Sequence, residues 1–169
     1  MEDEVGISGI PETKRILYVT DLSENARYAF GYAVSMANCY GAGITILHVL
    51  EEPSPNTLLL LGAWSGPEGW EQLKKKNEGR VIQEIRDRIA SFCEEVRTKL
   101  PECPFIVDDI LVEMGHPVDR ILYHIGETPC DILVMGSRGH GLLKEAVMGS
   151  TSRRVLRRSA KPVLVIPLP

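Results

Sequence analysis

Apolar residues fall in five short runs separated by stretches of helical period. Arg15 to Thr20 (RILYVT) is rich in strand formers and lies between a charged entry and Asp21, so it reads as a buried strand. Ser23 stands where it can cap a helix, and Ala26, Phe30, Ala33, Val34 and Ala37 then recur at helical spacing until Gly41 and Gly43. Ile44 to Leu50 (ITILHVL) is a second strand. Residues 51–70 form a connector broken by prolines and glycines, with an unusually apolar centre at Leu58 to Leu61. From Glu71 a long helix is predicted, its stripe Val81, Ile85, Ile89, Phe92, Val96 and Leu100; Gly79 weakens its first part. Pro101 and Pro104 end it.

Phe105 to Val112 reads as a third strand. Gly115-His116-Pro117 is a turn feeding a helix from Val118 to Gly126, with Ile121, Leu122 and Ile125 apolar. Asp131 to Met135 is a fourth strand. Ser150 to Ser159 is predicted helical, with Val155 and Leu156 inward and Arg153, Arg154, Arg157 and Arg158 outward. Pro162 to Pro167 is the fifth strand. Regular alternation of strands and helices predicts an α/β fold, an open doubly wound parallel sheet with helices on both faces. The third strand alternates partly, but the buried strands are apolar throughout, as a sheet covered on both sides requires. Proline at both ends of the last strand suits a sheet edge, available for pairing with a second chain.

The length of 169 residues suits one domain, here 14–169 behind a flexible tail of residues 1–13. A net charge of −4 argues against broad nucleic-acid binding. The uncharged stretch from Pro53 to Pro67 is too short and too interrupted to span a membrane. The acidic opening MEDE has no signal-like apolar core, and the expected location is the cytoplasm. Cys39, Cys93, Cys103 and Cys130 form no C-x-x-C pair and read as free thiols.

In such a sheet, ligands bind beyond the strand carboxyl ends. Three segments sit there: Val19-Thr20-Asp21, Val49-Leu50-Glu51 and Met135-Gly136-Ser137-Arg138-Gly139. The last opens the run GSRGHGLLKEAVMGST, residues 136–151. Its glycines would let the main chain turn at positive φ and bring N–H groups near a ligand. Gly149-Ser150-Thr151 would then open a helix whose amides and dipole attract an anion. The run lacks the Gly-Lys-Ser/Thr ending of the common phosphate loop. Backbone and hydroxyl groups, with Arg138 or a bound cation, can nevertheless hold phosphate. Alternatively, Gly136 and Gly139 only make a turn and Ser150 or Thr151 only caps a helix.

The spacing Gly136-x-x-Gly139, nine residues, Gly149-Ser150 resembles the G-2x-G-9x-G-[S/T] nucleotide motif of the universal stress protein family. The likeness extends through RILYVTDLSENARYAF, ITILHVLEEP, VEMGHPVDRIL, CDILVMGSRGHG and KPVLVIP, nearly the whole chain from Arg15. It points to the ATP-binding branch. The resemblance implies a five-stranded parallel sheet of order 3-2-1-4-5, the adenine-nucleotide alpha-hydrolase-like arrangement, with ATP at its switch point. It also implies a homodimer through Pro162 to Pro167. By position, Val19, Thr20 and Asp21 would line the ribose and phosphate side and Val49 the adenine, with Met135 closing the pocket. Gly136, Arg138, Gly139, Gly149, Ser150 and Thr151 would cradle the triphosphate, and Mg2+ or Mn2+ would accompany it.

Other readings stay open at this point. Asp21 either meets ribose or metal, or caps the first helix in competition with Ser23. The four arginines form a solvated face, or meet phosphate or an acidic partner. His48 reads as a core histidine, His116 as a pocket-rim residue, His124 as helix surface and His140 as a solvated loop residue. Residues 58–70 form an oligomer contact, a lid, or a cover for their own helix. No Ser-His-Asp or Cys-His set is visible, so no catalytic residue is assigned. The expected function is an ATP-dependent regulatory switch or stress-response protein with an unidentified protein partner. Its hydrolysis would be slow or partner-dependent. The alternatives are an enzyme activating a substrate at the α-phosphate and a dimeric interaction module with a relic loop.

Overall fold

The structure, a computed structural model, describes residues 9–51, 67–139 and 148–167, with residues 67–77 described as backbone alone. Five strands, β1 (Arg15–Thr20), β2 (Gly43–Leu50), β3 (Ile106–Met114), β4 (Ile132–Gly136) and β5 (Val163–Ile166), form one sheet. All pairings are parallel, and the order is β3-β2-β1-β4-β5, as expected. The helices among the described residues are α1 (Glu24–Tyr40), α2 (Pro67–Lys99), α3 (Pro117–Glu127) and α4 (Ser150–Arg158). The chain runs from β1 outward to β3, then returns to place β4 on the other side of β1. That reversal opens a crevice at the carboxyl ends of β1 and β4.

Successive strand residues enter opposite layers. Ile16, Tyr18, Ile44, Ile46 and Val134 pack with α1 and α2, while Leu17, Leu47, Leu133 and Met135 pack with α3 and α4. A strand covered on both faces has no polar side to present, which is why these runs read as continuously apolar. Phe30 anchors the first layer, its ring 5.1 Å from Tyr18, 5.3 Å from Phe92 and 5.6 Å from Phe105. All five anticipated α1 positions are buried. Ser23 is the N-cap, accepting from Ala26 N–H, and Gly41 closes the helix at φ 64°.

Several boundaries differ from the expectation. Helix α2 starts at Pro67, four residues before Glu71, and runs through Gly79. Proline is tolerated in a first helical turn because its missing N–H has no partner there. Its buried stripe is Ile85, Ile89 and Cys93, flanked by Ile82, Phe92 and Val96, whereas Val81 and Leu100 are exposed. Strand β3 runs to Met114 rather than ending at Val112. It carries a register shift where Val107 pairs with Ile44 and Asp109 with Thr45, leaving Asp108 as the extra residue. A Cβ on Gly43 would collide with the Asp108 carboxylate, so this glycine makes room for the bulge.

Two interior assignments also change. Val155 is fully buried on α4, but Leu156 is 46% exposed, because 100° of helical rotation carries it off the sheet. His124 is not a surface residue: it is only 6% exposed. Its Nε2 bonds Glu113 Oε1 at 2.9 Å, and its Nδ1 meets Thr128 Oγ1 at 2.8 Å. Arg120 donates to the other Glu113 oxygen, through Nε at 2.7 Å. Burial alone would raise the Glu113 carboxyl, but hydrogen bonds from Arg120 and His124 outweigh it and hold it below the ordinary value. Residues 1–8, most of the 58–70 segment, His140 and Gly141 lie outside the described residues. No helix among the described residues is long and apolar enough to cross a membrane.

Candidate functional site

At the carboxyl end of β1 the backbone turns sharply into α1. Leu22 sits at φ 66°, a conformation side chains other than glycine rarely take, and its N–H is held by Thr20 Oγ1 at 3.0 Å. Asp21 Oδ1 accepts from Ser23 N–H at 3.0 Å and from Ser23 Oγ at 2.5 Å. Ser23 Oγ in turn accepts from Ala26 N–H at 3.2 Å. Thus Ser23 caps α1 and Asp21 braces the cap, while Asp21 also lines a cleft beside it. His48, buried on β2, places Nδ1 2.8 Å from Thr20 O; a carbonyl only accepts, so Nδ1 carries the proton.

The cleft has a volume of about 750 Å³ and opens at the strand carboxyl ends. All eleven residues that the resemblance implies line it: Val19 and Thr20 on β1 with Asp21 just past it, Val49 on β2, Met135 and Gly136 on β4, and Arg138, Gly139, Gly149, Ser150 and Thr151 beyond. The two glycine segments, with nine residues between them in sequence, are stitched into one wall. Gly149 N–H donates to Ser137 O at 2.7 Å, and Ser152 Oγ donates to Gly136 O at 2.9 Å. Ser137 N–H donates to Ile166 O at 2.7 Å, fastening that wall to β5.

The motif glycines do not act through positive φ. Among the described glycines only Gly41 and Gly115 adopt it. Gly136, Gly139 and Gly149 are instead places of close approach. A Cβ on Gly149 would stand 3.3 Å from Ser137 O, one on Gly136 would stand 3.3 Å from Arg138 O, and one on Gly139 would strike the Asp21 carboxylate. Each absent side chain lets backbone or carboxylate close on the glycine. Gly149 N–H is committed to Ser137 and so is not an open donor. Among the described residues, the open donors are the next ones along. The amides of Ser150, Thr151 and Ser152 precede the first i→i−4 bond of α4, Arg153 N–H to Gly149 O at 3.0 Å. The N-cap is Gly149, which supplies no side chain to cap them.

The sequence reading missed part of the wall. His48, Pro117, Ile121 and Arg153 also line the cleft. His48 could have been found, since it sits one residue before Val49 in the same strand end. Pro117 and Ile121 arrive because α3 begins where β3 ends, and nothing local marks them. Of the four arginines, for which the sequence leaves a solvated face, phosphate contact or an acidic partner open, only Arg153 lines the cleft among the described residues. His116 is exposed and 3.4 Å from Asp119 Oδ2; it does not line the cleft, although Pro117 beside it does. The walls divide by chemistry. Val19, Val49, Pro117, Ile121 and Met135 are apolar, Asp21 and Glu51 are acidic, and Arg138 and Arg153 are basic.

Comparison with known proteins agrees with this fold. The family model described as "Universal stress protein family" matches residues 12–167. Universal stress protein MJ0577 of Methanocaldococcus jannaschii is 31% identical over 153 residues, covering 90% of this chain and 94% of that protein. Universal stress protein YxiE of Bacillus subtilis is 31% identical over 156 residues, covering 90% and 97%. The solved structure of MJ0577 superposes with a TM-score of 0.72 at 26% identity, covering 94% of this chain and 99% of that one. A universal stress protein solved in complex with cAMP aligns with a TM-score of 0.56 at 19% identity, which supports the fold alone. With its sheet order, its glycine spacing and a family match over almost its full length, the chain belongs to the universal stress protein family.

Proposed function

We propose that the cleft binds ATP and that the chain works as a nucleotide-dependent regulatory switch. The observation that carries this reading is the start of α4. Its first three amides open beside a cleft, its N-cap has no side chain, and its first turn contains no acidic residue. A helix end left this way attracts an anion. The apolar group of Val19, Val49, Pro117, Ile121 and Met135 suits a purine, and Asp21 suits a ribose hydroxyl. The volume lies within the range of ligand pockets, about 300–1,000 Å³.

Mg2+ or Mn2+ would arrive with the phosphates. Among the described residues no three His, Cys, Asp or Glu groups gather as a cage, so the protein's own donor toward such an ion would be Asp21. The ion would offset phosphate charge there. Among the described residues no side chain lining the cleft is arranged as an evident general base, so hydrolysis would be slow or would await a partner. Strand β5 lies at the sheet edge, which supports a homodimer formed through residues 162–167. A cytoplasmic location and a protein partner read by nucleotide state complete the proposal. Calorimetry of the purified protein with MgATP tests it: micromolar affinity is expected. No binding of ATP, ADP or AMP at millimolar concentration would sink it.

A further inference from the structure

We propose that Arg153 makes the cleft selective for the length of a nucleotide's phosphate chain, favouring triphosphate over monophosphate. This rests on the nucleotide reading above and goes further, because it assigns a residue outside the glycine motif.

The argument begins with where the positive charge sits. Helix α4 has nine residues, with arginine at 153, 154, 157 and 158 and no acidic residue in its first turn. Cations near a helix N-terminus oppose the macrodipole, and acidic residues are favoured there. Arg158 lies near the other end, where a cation is favourable, and has Asp119 Oδ1 at 3.8 Å. Among the described residues, Arg153 and Arg154 have no carboxylate partner. The open amides of Ser150, Thr151 and Ser152 therefore share the helix start with uncompensated guanidinium charge.

Helical geometry directs Arg153 toward that end. Val155 is fully buried and marks the face packed on the sheet. Arg153, two residues earlier, lies about 200° around the helix from it. Side chains on a helix lean toward its N-terminus and cover the preceding turn. Arg153 consequently reaches back over residues 150–152, and it lines the cleft with Ser150, Thr151 and, on the other glycine segment, Arg138. Arg157, one turn further on, does not line it.

The division of labour follows. One phosphate can be met by the first-turn amides and the Ser150 and Thr151 hydroxyls. Each added phosphate brings further negative charge to the helix start, where Arg153 can donate charge-assisted hydrogen bonds. Its contribution should therefore grow with chain length, whereas the amides serve every member of the series.

Titration calorimetry with AMP, ADP, ATP and inorganic triphosphate, in excess magnesium, tests this on wild type, R153Q, R153K and R157Q. Far-UV circular dichroism and urea midpoints check that the folds match; both positions are exposed, so no change is expected. Arg153→Gln should weaken ATP and triphosphate by about tenfold or more, the scale of a charged hydrogen bond. It should weaken AMP less than about twofold. R153K should recover part of the ATP affinity, and R157Q should leave the series unchanged. If R153Q weakens AMP and ATP equally, or neither, while wild type binds ATP, the assignment of Arg153 is overturned and the nucleotide reading stands. If wild type binds no nucleotide, both fall together.

Discussion

Replacing Gly139 by alanine should press the glycine loop against the end of β1. The added Cβ would land on Asp21 Oδ2 and lie 3.3 Å from Asp21 Cγ. Asp21 cannot swing aside at no cost, because its Oδ1 accepts from Ser23 N–H at 3.0 Å and Ser23 Oγ at 2.5 Å. Ser23 in turn caps α1 through Ala26 N–H. Either the loop is displaced or this brace loosens. We expect a loss of roughly 1–2 kcal/mol, in the lower part of the overpacking range because a loop yields more readily than a core. For a chain of 169 residues that corresponds to a fall in Tm of about 2–8 °C. Urea unfolding of wild type, G139A, D21A and the double variant isolates the cause. With the carboxylate removed, alanine at 139 meets open space, so the cycle should show a coupling of about 1 kcal/mol. Equal costs for G139A in both backgrounds, within about 0.3–0.5 kcal/mol, would refute the reasoning.

The Glu113 brace should appear in acid. Its carboxyl is held below the ordinary value in the folded state, so its stabilisation is fully present above the unfolded value, about 4.3. It disappears as pH falls through the lowered folded value. The urea-unfolding difference between wild type and E113Q should therefore be constant near neutrality and shrink below about pH 4; a difference that grows in acid would contradict this. The thiols should separate by exposure and acidity. Burial pushes Cys93 up to about 11 and raises Cys130, whereas Cys39 is exposed. A thiol-reactive disulfide reagent at pH 8 should modify Cys39 quickly and Cys93 and Cys130 only on unfolding, and C39S should abolish the fast phase.

Much of the fold was legible because each element carries its own local cause. Strands β1, β2 and β4 announce themselves as near-continuous apolar runs, since both faces of the sheet are covered there, whereas the outer strand β3 carries Asp108, Asp109 and Glu113. Helix α1 is bounded by a serine that caps and a glycine that accepts φ 64°. Assignments that failed depended on partners distant in sequence. His124 looked like helix surface because its neighbours on α3 do not reveal Glu113, eleven residues away on β3. Leu156 looked buried because an apolar residue beside Val155 suggests a wider stripe than the sheet contacts.

The candidate site divides in the same way. The sequence alone determined which segments end strands, the glycine spacing and the hydroxyl-bearing start of α4. Those segments, together with the family resemblance they carry, named eleven residues that are all found along one cleft. Only the tertiary structure decided what those glycines do. Their role is set by what approaches them: the Asp21 carboxylate at Gly139, Ser137 O at Gly149 and Arg138 O at Gly136. It likewise decided that Gly149 N–H is engaged, that Pro117 and Ile121 complete the apolar wall, and that Arg153 faces the cleft. Local pattern encodes the conformation of a segment. Which atoms lie across a cleft depends on the β1 and β4 crossover, a relation between residues more than a hundred positions apart.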